Sequence, residues 1–121
     1  MTRIENFKDL HVWQDSKDLS VRIYRVTRSF PPNEQFGLAS QIQRAAVSIP
    51  SNIAEGFCRN GDKEFKHFLL IARGSAAELE TQLLIAKDLG YIKADVLDEL
   101  VELLVQVHKT INGLIRHVKD S

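Results

Sequence analysis

The sequence predicts an all-α protein: an antiparallel up-down-up-down four-helix bundle with its second helix kinked at Pro50. Three observations point there. Apolar residues recur at alternating spacings of four and three along three long blocks, the pattern of an a/d seam. The blocks are separated by clean punctuation at Phe30-Pro31-Pro32-Asn33, Asn60-Gly61-Asp62 and Leu89-Gly90-Tyr91. Long helices joined by turns this short run antiparallel to their neighbours. The expected helices cover residues 9–29, 34–58, 62–89 and 94–119 of a single domain, 1–121.

The first helix carries Val12, Ser16, Leu19, Ile23, Val26 and Phe30 as its seam, flanked by Trp13 and Tyr24. Pro31 and Pro32 end it, because neither donates to the hydrogen-bond ladder. Asn33 suits the N-cap of the second helix, and Glu34 its positive end. The third helix starts in Asn60-Gly61-Asp62, with Asn60 or Asp62 as cap. Its seam is Phe65, Leu69, Ala72, Ala76, Leu79, Leu83 and Ala86, and Gly90 fits a left-handed position beyond its end. The fourth carries Leu97, Val101, Leu104, His108, Ile111, Ile115 and Val118, one histidine in an apolar row.

The second helix differs from the others. Stepping by about 100° per residue gathers Gln41, Arg44, Ser48, Ser51, Asn52, Glu55 and Arg59 into one sector. Leu38, Ile42, Ala45, Ala46, Ile49, Ile53 and Phe57 lie opposite, facing the core. The remaining flank holds Val47, Pro50, Ala54 and Cys58, interrupted by Gln43. A second apolar flank calls for a partner, so Val47, Pro50, Ala54 and Cys58 are expected to contact another copy of the chain. Pro50 withholds a donor from the Ala46 carbonyl and should bend the helix, with the Ser48 and Ser51 hydroxyls close enough to compensate.

The polar line faces Ser75, Glu78 and Gln82 of the third helix, and a network of Arg44, Ser48, Asn52, Glu55, Ser75, Glu78 and Gln82 is expected to fix the register of the two helices. A ligand or enzyme site along the same line is the weaker alternative. Arg22, Arg25 and Arg28 cluster near the end of the first helix, while Asp95, Asp98, Glu99 and Glu102 cluster at the start of the fourth. The two clusters share a pole of the bundle. Mutual pairing, within or between subunits, is the expectation; a phosphate-binding patch that adds Arg44 and Arg59 is the alternative.

Composition narrows the function classes. The chain is 44% apolar and 26% charged, as in ordinary globular domains. Sixteen basic and sixteen acidic residues give zero net charge, against a dedicated non-specific nucleic-acid binder. The start lacks the apolar core of a secretory signal, and no apolar run reaches the roughly 18 residues that cross a bilayer. The single cysteine, Cys58, excludes an internal disulfide, and a cytoplasmic location is expected. No glycine-rich phosphate loop is present. Glu64 and His67 make half of a di-iron motif that needs a second half and two further glutamates. No catalytic residue, cofactor or metal is expected, and the protein is not expected to be an enzyme.

Several segments resemble one family: Leu10-His11-Val12-Trp13, then Phe30 to Leu38, then Ala45-Ala46-Val47-Ser48-Ile49-Pro50-Ser51-Asn52-Ile53-Ala54-Glu55-Gly56, then Phe68 to Ser75, then Leu89-Gly90-Tyr91. They are similar to the four-helix-bundle proteins of the intervening sequences in bacterial 23S ribosomal RNA genes. More distantly, the chain resembles the accessory proteins of diversity-generating retroelements. The resemblance implies an antiparallel bundle, a homo-oligomeric ring, typically a pentamer, and no enzymatic activity. It suggests binding to RNA or another nucleic acid through the arginines of helices 1 and 2. The alternative is a protein–protein scaffold with no nucleic-acid role. Gln43-Arg44 stands where the family often has two arginines, and the retroelement relatives are basic where this chain is neutral.

Overall fold

The computed structural model describes residues 4–118. Its four helices are α1 His11–Thr27, α2 Leu38–Cys58, α3 Asp62–Asp88 and α4 Ala94–His117, with 3-10 turns at Phe7–Asp9 and Pro32–Glu34 and no strand among the described residues. The expected end of the last helix at 119 lies outside them. Packing follows a cycle: α2 lies against α1 and α3, and α4 against the same two, whereas the backbones of α1 and α3, and of α2 and α4, stay more than 8 Å apart at Cα.

The seams of α1 and α3 form the core as their spacing requires. Val12, Leu19 and Ile23 are buried, and so are Leu69, Ala72, Ala76, Leu79, Leu83 and Ala86. Ile42, Ile49 and Ile53 complete the layer from α2. Full burial of each large side chain is worth about 1.5–3 kcal/mol. In α4 the buried row is Leu97, Leu100, Leu104, Val107 and Ile111. The row expected to hold Val101 and His108 is therefore rotated by one position. Both are half-buried flanks. The reason is that α4 must cover α1 and α3 together, which centres its apolar stripe between the two possible rows.

The helix starts also differ from expectation. Asn33 does not cap α2, because Pro32–Glu34 close a 3-10 turn and the helix begins at Leu38. Glu34 reaches forward instead. One carboxylate oxygen accepts the Leu38 N–H at 3.3 Å, and the other accepts the Tyr91 hydroxyl at 3.0 Å. The Phe30 ring packs on the Tyr91 ring, centroids 5.4 Å apart. Gln35 closes α1 by donating to the Thr27 and Phe30 carbonyls at 3.2 and 2.9 Å. At the start of α3 neither Asn60 nor Asp62 caps; Gly61 occupies that position with no side-chain bond. Asn60 instead takes the left-handed conformation (φ 63°) that turns the chain out of α2. Gly90 (φ 82°) does the same after α3, where Tyr91 N–H donates to the Ala86 carbonyl and Gly90 N–H to the Lys87 carbonyl, both at 2.9 Å. That pair of bonds is a Schellman motif.

Candidate functional site

α2 continues through Pro50 without interruption. The proline removes the donor that the Ala46 carbonyl would have received. Neither expected serine replaces it. Ser48 is turned toward α3, and Ser51 is exposed. The substitute comes from α1: the buried Ser20 hydroxyl lies 3.1 Å from the Ala46 carbonyl and 3.0 Å from its own helix's Ser16 carbonyl, so one proton is shared between them. Gln43, which breaks the apolar flank of α2, donates to the Thr27 hydroxyl at 2.9 Å.

The polar network across α2 and α3 forms in part. The Ser48 and Ser75 hydroxyls meet at 2.8 Å, and the Asn52 amide donates to the Ser48 carbonyl at 2.7 Å and to its hydroxyl at 2.9 Å. Arg44 and Glu78 are exposed and lie beside this cluster rather than within it. With Gln41, Ala45, Ser48 and Gln82 they line an open depression of about 410 Å³. The buried Oε1 of Gln82 has no hydrogen-bond partner there. Glu55 pairs with Arg59 at 2.9 Å, one turn along the same helix, and the Arg59 guanidinium sits 5.3 Å above the Phe68 ring. Arg73 ties α3 to α4 through Asn112 at 3.0 Å.

The arginines of α1 do not pair with the carboxylates of α4 within the chain. Among the described residues, Arg22, Arg25, Arg28 and Arg44 are all exposed and none forms an ion pair. Arg25 and Arg28 point instead into a groove of about 540 Å³ between α1 and α2, together with Lys17, Val21, Tyr24 and Val47. Arg25 and Arg28 cannot pair across α1 and α4 because they stand on the α2 side of α1, whereas Arg22 is exposed outside that groove.

The apolar flank of α2 is thinner than the sequence suggests. Val47 and Cys58 are exposed and Ala54 is half-buried, but Pro50 is buried beneath α1. A larger apolar face lies where it was not expected, on the outside of α3. Leu70, Ile71, Leu84 and Ile85 are each 40–46% exposed, with Gly74, Ala77 and Thr81 between them. Glu78 is the only charged residue between Leu70 and Ile85 that is exposed on this helix besides that apolar set. The signal was present in the sequence: the rows at 70, 74, 77, 81 and 84 repeat at four and three just as the core seam does.

Glu64 and His67 are exposed at the start of α3, and among the described residues no three or more His, Cys, Asp or Glu side chains converge as metal ligands would. Among the same residues no helix is long and apolar enough to cross a membrane.

The family model for 23S rRNA-intervening sequence proteins matches residues 8–113, which includes the α2 run around Pro50 and all four helices up to the last turn of α4. The chain belongs to this family. No curated protein matches its sequence. Among solved structures, this intervening-sequence protein is similar to a 1.70 Å crystal structure from Bacteroides thetaiotaomicron, described as a protein with unknown function from the S23 ribosomal protein family. The two share 24% identity at a TM-score of 0.81, over 87% of this chain and 95% of that one. At that identity the likeness shows a common fold. The match holds the Ser20–Ala46 contact, the Ser48–Ser75 contact and both apolar faces inside the part of the chain that is typical of intervening-sequence proteins.

Proposed function

We propose that this family member is a non-enzymatic, cytoplasmic, up-down-up-down antiparallel bundle, bent at Pro50, that works by assembling with copies of itself into a ring. The topology is supported by where helix ends meet. Glu34, before α2, bonds Tyr91, before α4; the middles of α1, α2 and α3 are joined by Ser20–Ala46 and Ser48–Ser75, and the middle of α3 meets the last third of α4 through Arg73–Asn112. The bend is supported by the cross-helix donor that Pro50 makes necessary.

The observation that carries the assembly is the outer face of α3. A monomer seldom leaves four large aliphatic side chains and three small residues together in water along one helix. Family resemblance sets the expected ring at five copies. Light scattering coupled to size exclusion tests it: the expected mass is a multiple of the 13.7 kDa chain, and a monomer at micromolar concentration overturns the reading.

A second reading has its own observation. Arg22, Arg25, Arg28 and Arg44 reach solvent without an ion pair among the described residues, so their charge is open to phosphates. A ring would multiply a patch that one neutral chain presents weakly. Filter binding of structured RNA over a salt series separates this from a pure protein scaffold. A nucleic-acid binder loses affinity steeply with salt. A scaffold binds no better than a neutral control at any salt.

A further inference from the structure

We infer that the outer face of α3 in one copy seats on the α1–α2 groove of the next, so the assembly is head-to-tail. This rests on the self-assembly reading above and names its two surfaces. The groove has an apolar floor of Val21, Tyr24 and Val47, and its charged lining is Lys17, Arg25 and Arg28, with no acid. The α3 face is apolar along Leu70, Ile71, Leu84 and Ile85, and from Leu70 onward the exposed charges on it are of the other sign, Glu78 and Asp88, while Lys63 lies on the same stripe two turns before Leu70. Lys87, also exposed, lies about 100° away from Asp88 around the helix. Both surfaces needed for the contact are therefore on this one chain, which is why the occupant is a second copy.

The spacings agree. Lys17 and Arg28 are eleven residues apart, about 16 Å along α1, with Val21 and Tyr24 between them. Glu78 and Asp88 are ten residues apart, about 15 Å along α3, with Thr81, Leu84 and Ile85 between them. Arg28 and Asp88 also stand at one pole, since Phe30, just after α1, packs on Tyr91, just after α3. Copies with parallel axes thus bring Arg28 to Asp88 and Lys17 to Glu78. The exposed contact of Lys17 with its neighbour Asp18, at 3.6 Å, is too weak to oppose this.

Like-on-like contacts are worse. Two α3 faces related by a two-fold axis would set Glu78 against Asp88, and two grooves would set Lys17 against Arg28. A contact between unlike surfaces closes into a ring when its rotation permits. It assigns Arg25 and Arg28 to the interface and leaves Arg22 and Arg44 facing solvent.

The test uses two variants of exposed positions, Val21→Glu in the groove, which would face the acids of α3, and Leu84→Lys on α3, which would face the cations of the groove, each checked for unchanged helical circular dichroism. Each alone is expected to lose the wild-type mass and run as a monomer. Mixed, they are expected to form a complex containing both chains by native mass spectrometry, because the groove of the Leu84→Lys chain and the α3 face of the Val21→Glu chain are both intact. Absence of a mixed complex, or a Val21→Glu variant that keeps the wild-type mass, overturns the pairing while a wild-type oligomer leaves self-assembly standing. A monomeric wild type overturns both.

Discussion

The Tyr91 hydroxyl donates to the Glu34 carboxylate at 3.0 Å, joining the turn before α2 to the turn before α4 across 57 residues of chain. The other oxygen of Glu34 accepts the first N–H of α2, so one carboxylate starts one helix and anchors the approach to another. The phenol gains a partner that exists only in the folded chain.

That bond gives a pH dependence. The hydrogen bond to Glu34, then burial, then the negative charge of Glu34 raise the Tyr91 pKa above its ordinary 10.0. A folded pKa above the unfolded one means a contribution to stability that is complete below about pH 10 and lost as pH rises through the folded value. In a Tyr24→Phe background, tyrosinate absorbance should show Tyr91 titrating above the usual midpoint. Glu34→Gln should bring that midpoint down. Tyr91→Phe should lower the denaturation midpoint at neutral pH and abolish the alkaline loss. An alkaline loss that persists in Tyr91→Phe would assign it to another group.

Ser20→Ala should destabilise the fold by about 1–3 kcal/mol, the cost of leaving a buried acceptor without its donor. The loss should shrink in a Pro50→Ala background, where the α2 ladder supplies the Ala46 carbonyl itself. Urea denaturation of the four combinations at one fixed protein concentration measures the coupling. Equal losses in both backgrounds would mean that Ser20 acts only on its own helix.

Gly56→Ala should be destabilising, although alanine is the better helix former. A Cβ at Gly56 would stand 2.6 Å from Cβ of Phe68 and 3.3 Å from the Phe65 ring. Forcing α2 and α3 apart there costs about 1–3 kcal/mol. A higher melting temperature for the alanine variant would show that the helices separate freely.

If the protein binds RNA, Arg22→Gln and Arg44→Gln should each flatten the slope of log affinity against log salt by about one. Arg59→Gln should leave the slope unchanged, because that guanidinium already holds Glu55 and covers Phe68. A slope altered only by Arg59→Gln would reverse the assignment.

The fold class was legible because the seams of α1 and α3 are unambiguous rows of large and small apolar residues. α4 was less so: Leu97, Leu100, Val101, Leu103, Leu104, Val105 and Val107 permit more than one row, and only its contacts with both neighbours choose. The start of α2 was misread because a carboxylate that serves Tyr91 looks, in sequence, like an ordinary first-turn acid. Of the polar line, the Ser48–Asn52–Ser75 cluster follows from spacing, whereas the orientation of Arg44 does not. The outer face of α3 escaped notice because one convincing seam ends the search for another. Ser20 escaped because its partner is 26 residues away and its own position lies off the α1 seam.

Pro50 makes Ala46 distinctive as well as weak. Its carbonyl lacks the donor that an unbroken ladder supplies, so it serves as an address that a neighbouring helix can find. Ser20 answers it only when α1 and α2 are in one alignment. A slip of one turn would carry the hydroxyl about 5.4 Å from its acceptor. Aliphatic side chains tolerate such slips, since one leucine fills a gap much as the next does. The proline therefore stores positional information that the apolar rows lack, and a residue usually counted as a break in a helix tells its neighbour where to stop.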